Sequence, residues 1–150
     1  MVTLKTIYMA AAHSKLIQLV IIAVIIDTIF GVLRAIKEHK FNSCFGINGA
    51  IRKCGMIISI ILLAIVDYIT GFNMIGFLPE QVRQHLGNQI GISEFFALLY
   101  TAYETVSILK NMVLCGLPVK KLWLYVKTFL SKYTDELPDD DELAMNKEEK

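Results

Sequence analysis

A chain of 150 residues that is 55% hydrophobic, with a mean hydropathy of +0.52, holds more apolar side chain than a soluble domain of this size needs for its core. Its formal net charge of +1 says nothing about partners, although the distribution of charge does. Three cysteines (Cys44, Cys54, Cys115) without a CxxC, and three scattered histidines (His13, His39, His85), give no disulfide framework and no visible metal site.

Residues 1–15 are a short mixed lead with two Lys. Residues 16–36 are predicted to be the first membrane span: at about 1.5 Å per residue they reach about 31 Å, the hydrocarbon thickness of a bilayer. The run is too long for a signal-peptide core, and Arg34, Lys37 and Lys40 follow it where a small-x-small cleavage site would be. A retained anchor is expected. Residues 37–54 are polar, basic and glycine-containing (Phe45-Gly46-Ile47-Asn48-Gly49) and read as a loop with room for a short helix. A second span is predicted at 55–72, about 27 Å long. The near-neutral stretch 72–90 places Met74, Phe77, Leu78, Val82 and Leu86 close to helical spacing, so part of it is expected in the interface. The third span is predicted at 91–109, and Gly116-Leu117-Pro118 breaks the helix after it.

Residues 119–133 put Leu122, Val126, Phe129, Leu130 and Tyr133 on one helical face, with Lys120, Lys121, Lys127, Ser131 and Lys132 elsewhere. Fifteen residues with four Lys cannot span a bilayer. They suit an anionic leaflet, with Trp123 and Tyr125 at headgroup depth, or packing against another protein. From Asp135 onward there are eight acids and two Lys, the composition of a disordered tail. The expected class is an all-α integral membrane protein. Three spans within residues 1–118 are followed by an amphipathic interfacial helix over 119–133 and an acidic tail over 134–150.

Arg34, Lys37, Lys40, Arg52 and Lys53 face a single acid, Glu38, in the first loop, and the C-terminal segment carries four Lys. The second loop holds Arg83 against Glu80. Positive charge therefore puts the first loop and the C-terminus inside and the N-terminus outside, against a slight counterweight from Lys5 and Lys15. The cysteines then face the cytoplasm and fit free thiols. Orientation accounts for the basic segments without nucleic-acid binding.

Each span also holds a carboxylate. Fourteen Leu, Ile, Val and Phe in the first contribute up to about −4 to −8 kcal/mol to insertion, against about +2.5 to +3.5 for Asp27. The second has ten such residues with Asp67 near its outer end. The third has only eight, with Glu104 inside and Glu94 at its rim, and is marginal. The acids lie on small or polar rows: Ala23, Asp27, Gly31 and Ala35; Gly55, Ser59, Asp67 and Gly71, with Leu63 the apolar member; Ala97, Tyr100, Glu104, Ser107 and Asn111. Such rows allow close helix approach and interhelical hydrogen bonds. They serve either contacts within one chain or faces that meet between subunits or line a water-filled lesion. Asp27 follows Val24-Ile25-Ile26 and Asp67 follows Ala64-Ile65-Val66, so neither the Gly-x-Gly-Asp nor the Tyr-Asp pattern of intramembrane aspartyl proteases is present.

The ordered set of motifs resembles the bacteriophage holins found with phage-lysis and toxin-secretion loci in clostridia. It comprises Asp27-x-x-x-Gly31, Ala35-Ile36-Lys37, Lys40-Phe41-Asn42-Ser43, Gly46-x-x-Gly49, Arg52-Lys53 and Asp67. It continues with Gly91-Ile92-Ser93-Glu94-Phe95-Phe96, Tyr103-Glu104-x-x-Ser107-Ile108-Leu109-Lys110-Asn111 and Cys115-Gly116-Leu117-Pro118, and departs at Lys120, where a second proline is expected. The resemblance implies a protein of the bacterial cytoplasmic membrane that self-associates and opens lesions at a set time. Through these an endolysin or a large protein toxin passes, without specific binding and with no catalytic site or cofactor. Some holins use a second start codon, for which Met9 is the candidate here. The expected functional residues are the intramembrane set Asp27, Gly31, Ser59, Asp67, Glu104, Ser107 and Asn111. Beside them stand the basic loop and the cations of 120–132 with Trp123. The rival readings are a small homo-oligomeric ion or solute channel and a non-conducting adaptor.

Overall fold

A computed structural model describes residues 14–39, 43–86 and 90–133. Lys40, the possible start at Met9 and the acidic tail lie outside the described residues. Every regular element described is a helix: α1 (Lys15–Lys37), α2 (Ser43–Thr70), α3 (Glu80–Leu86), α4 (Ile92–Leu114) and α5 (Lys120–Leu130). Two stretches, Lys15–Lys37 and Gly46–Thr70, are long and apolar enough to cross a membrane. α4 has the same 23 residues as α1, yet Glu94, Glu104 and Lys110 keep it short of that apolarity.

α1 departs from its predicted bounds by one residue at each end. α2 begins twelve residues before the predicted 55, so most of the expected first loop is helical. Gly46 and Gly49 suggested a loop, and each costs about 1 kcal/mol relative to Ala. They are tolerated because extending an existing helix adds one hydrogen bond per residue without a new nucleus. The Arg52 guanidinium, 5.0 Å from the Tyr103 ring centre, ties this extension down.

α2 stops where Gly71, at φ +61°, supplies the left-handed residue and its N–H bonds Asp67 O at 2.8 Å. α4 stops in a Schellman turn. Gly116 takes φ +90°, its N–H reaches Val113 O at 2.9 Å, and the Leu117 N–H reaches Met112 O at 3.0 Å. The predicted break at Gly116-Leu117-Pro118 therefore has this turn as its cause.

The described residues form two compact units, one within residues 14–25 and 43–103 and the other within residues 26–39 and 104–133. The first is built on Ile17, Val20, Ile60 and Ala97, with Leu16 and Tyr100 packed against them. Among the buried residues of the second are Asp27, Glu104, Lys110 and Asn111, together with Leu114 and Trp123. In contrast, the large aliphatic side chains of α1 and α2 are mostly outside, from Leu19, Ile22, Ile25 and Ile29 to Ile51, Ile58, Leu62 and Ile69. Polar groups inside and aliphatic groups outside reverse the pattern that water imposes and match the one that lipid imposes.

The polarity of α4 carries a prediction. In a translocon reporter carrying one test segment, Ile92–Leu114 is expected to insert in a minority of chains and Lys15–Lys37 in nearly all. Equal insertion of the two segments contradicts the dependence of α4 on its neighbours.

Candidate functional site: polar contacts of the apolar helices

Within the first unit, the carboxylate of Asp67 closes the N-terminus of α4. A helix start leaves backbone N–H groups without intrahelical acceptors. Asp67 Oδ1 accepts from the Ile92 N–H at 2.9 Å. Oδ2 accepts from the Ser93 N–H at 2.7 Å and from the Ser93 hydroxyl at 2.6 Å. Glu94 completes the cap from within its own helix: Oε2 accepts from the Gly91 N–H at 2.8 Å, and Oε1 accepts from the Ser14 hydroxyl at 2.9 Å. Gly91 and Glu94 are thus half of a capping box, and the side chain missing at Gly91 is replaced by one from α2. A Cβ on Gly91 would lie 2.5 Å from Asp67 Oδ2, so any side chain there would have to displace the carboxylate from the cap. Negative charge here also meets the positive end of the helix dipole. The cap opens beside a cleft of about 260 Å³ lined by Ser14, Ile17, Ala64 and Tyr68 among others.

In the same unit, Ser59 Oγ lies 3.0 Å from Tyr100 Oη and also donates to Met56 O at 2.8 Å. The expected row Gly55, Ser59, Leu63 and Asp67 is not the most buried stripe of α2. That stripe is Met56, Ile60 and Ala64, one residue along. Ser59 and Asp67 border it, close enough for their polar atoms to reach α4.

Within the second unit, Asn111 Nδ2 donates to Asp27 Oδ1 at 2.9 Å, with the two residues 8% and 3% exposed. Gly31, one turn beyond Asp27, leaves Asn111 ordinary contact room, since an added Cβ would sit 3.9 Å from Nδ2. Glu104 is fully buried, and Ser107 is half-buried on the same helix. Lys37 donates from Nζ to Leu114 O at 2.9 Å, a carbonyl on the last turn of α4. Gly116 keeps this approach open, because a Cβ there would come 3.0 Å from Nζ. α4 therefore receives a carboxylate at its positive end and an ammonium at its negative end, each from another helix. Replacing Lys37 with Met is expected to lower stability by about 0.5–1 kcal/mol and Lys37→Arg by less. Unfolding midpoints of the purified variants in mixed micelles check this.

The remaining cations of the first loop are also engaged. Arg34 pairs with Glu38 one helical turn away, Nε to Oε2 at 3.3 Å. Arg52 stacks on Tyr103, and Lys53 is half-buried. On α5, Lys120 and Lys121 are exposed and Lys127 half-buried, and Lys132 is exposed just past the helix end. Of the two aromatics assigned to headgroup depth, Tyr125 is 76% exposed, whereas Trp123 is 2% exposed and faces inward. The sequence reading missed Ser14, Ser93 and Lys110 as members of the polar interior. Glu94 and Gly91 had a usable signal in their capping spacing; Ser14 and Lys110 had none.

Helices with aliphatic exteriors, joined inside by carboxylates, amides and hydroxyls, define a helical membrane protein. The chain belongs to the bacteriophage holin family, whose model matches residues 6–131. It is similar to the holin-like protein TcdE of Clostridioides difficile, at 50% identity over 128 residues that cover 84% of this chain and 77% of that protein. The holin family is not an enzyme family. No solved structure matches.

Proposed function

We propose that this holin self-associates in the bacterial cytoplasmic membrane and opens lesions wide enough for an endolysin or a large protein toxin to pass. The observation that carries the reading is the polar interior under an aliphatic exterior, above all the buried Asp27–Asn111 pair and Glu104. A chain serving only as an anchor has no use for these groups, whereas ionisable groups inside a membrane usually mark a polar path or a contact between helices. In the closed form they are sheltered against neighbouring helices. In a lesion the same faces turn to water or to another copy, and hydration of the acids stabilises the open form. The membrane potential biases the change, at about 2.3 kcal/mol per charge per 100 mV.

α4 serves as the third span in this reading, with Asn111 joined to Asp27 of α1 and Ser93 and Tyr100 joined to Asp67 and Ser59 of α2. The N-terminus lies outside, the first loop and C-terminus inside, and α5 rests on the inner leaflet through Leu122, Phe129 and Tyr133, with its Lys toward the headgroups. The relative's printed description as holin-like supports the lesion.

Induced expression in bacteria should give, after a delay, abrupt loss of viability with release of both a small dye and a cytoplasmic reporter protein. Release of ions or dye alone points instead to a small channel, and no release at all to an adaptor. Cysteine-accessibility labelling of the second loop and of the C-terminal region from outside the cell tests the orientation.

A further inference from the structure

α5 has a charge balance that the described residues leave open. Residues 119–133 hold four Lys and no acid. Lys120 and Lys121 sit in its first turn, which has no acidic residue, and the N-cap Val119 offers no side-chain hydrogen bond. Two cations thus lie at the positive end of the helix dipole, where anions are favoured. Trp123 turns inward, and the side opposite it at 100° per residue carries Lys121, Tyr125 and Thr128, with Lys132 following just past the helix end; all four are exposed. Among the described residues no carboxylate pairs with Lys120, Lys121 or Lys132.

Directly after this cationic face the sequence reverses sign. Residues 134–150 hold eight acids and two Lys, a formal charge of −6, with Asp139-Asp140-Asp141-Glu142 as the densest cluster. Six extended residues from Tyr133 reach about 20 Å, and the helix from Lys121 to Lys132 is about 16 Å long, so the cluster can run back along the whole face. Covalent attachment through so short a linker gives an effective concentration near millimolar, well above that of another copy at low density.

We propose that residues 134–150 fold back over the exposed cationic face of α5 in the same chain, and that an anionic leaflet displaces them. Helix and tail together carry a formal charge of −2, so with the tail in place the segment has no net attraction to an anionic surface. With the tail displaced, Lys120, Lys121 and Lys132 are available to headgroups. The tail is then a built-in competitor for the surface that α5 uses. Only the displacement step rests on the interfacial reading of α5; the docking step does not, and neither requires a lesion to form.

The full chain, reconstituted as an equal mixture of unlabelled and 15N-labelled protein, is treated with a zero-length carbodiimide and mapped by mass spectrometry. In phosphatidylcholine vesicles, links from Lys121 or Lys132 to residues 139–142 should join peptides of the same isotope. They should fall by about tenfold or more at about 1 M salt, where the screening length is near 3 Å. They should fall comparably in vesicles rich in phosphatidylglycerol. Absence of these links in phosphatidylcholine, or their persistence in high salt, overturns the docking. Mixed-isotope links as frequent as same-isotope ones make a second copy the occupant and overturn it too. Links that are salt-sensitive in phosphatidylcholine yet undiminished in phosphatidylglycerol overturn the displacement and leave the docking standing.

Discussion

Asp67→Ala is expected to cost about 2–4 kcal/mol, because two backbone N–H groups and a hydroxyl lose their shared acceptor at the edge of an apolar layer. The loss should read as a lower unfolding midpoint in mixed micelles. The Ile92 and Ser93 amides should exchange with deuterium about two orders of magnitude faster. Asp67→Asn keeps one carbonyl oxygen and should cost about half as much. Gly91→Ala reaches the same contact from the other side: its Cβ would press on Oδ2 and push the carboxylate off the helix end. The sharper expectation concerns the pair. Once Asp67 is Ala, the space it occupied is free and a methyl group at residue 91 fits, so the double variant should be more stable than the sum of the single losses allows. Strict additivity would mean that the two residues do not share a contact.

The second large effect separates holding the fold from opening it. Asn111→Leu removes a donor from a buried carboxylate and is expected to destabilise by about 3 kcal/mol or more. Asp27→Asn keeps a side chain that can hydrogen-bond Asn111 but can no longer take up charge. It should leave the unfolding midpoint within about 1 kcal/mol of the parent while changing the onset of lysis, or its response to membrane depolarisation, at matched protein level. Unchanged onset and unchanged depolarisation response for a stable Asp27→Asn protein would remove Asp27 from the opening step.

How far these contacts were legible in the sequence depends on how local their causes are. The bounds of α1 follow from an uninterrupted aliphatic run with cations after it, and the end of α4 follows from a glycine that must take positive φ. Both are near-neighbour effects, and both were readable. The start of α2 was not, since Gly46 and Gly49 argue for a loop unless the helix they extend is already formed. The rows through Asp27 and Glu104 could be drawn from helical periodicity, and the structure buries Ala23, Asp27, Ala97, Glu104 and Asn111 along them. On α2 the drawn row lies one residue from the buried one, because Ile60 and Met56 fill space that Gly55 and Ser59 cannot. Periodicity says which residues share a side, not what meets them. Asp67 read as an acid in lipid needing company; that its company is the open end of a helix 25 residues further on is a tertiary fact with no local trace. Lys37 read as an orientation charge for the same reason. Trp123 read as a headgroup anchor because tryptophan favours interfaces, and local spacing gave no sign that its side of α5 faces inward.

The capping of α4 by groups from α1 and α2 has a consequence for biogenesis. Both capping residues leave the ribosome before the helix they serve, so α4 meets its caps already made. A nascent chain paused after Thr70 has two helices apolar enough to enter the bilayer and nothing yet to hold. α4 thus follows in the chain both helices that supply its caps. A misplaced α1 or α2 leaves α4 without the carboxylate at its first turn or the ammonium at its last.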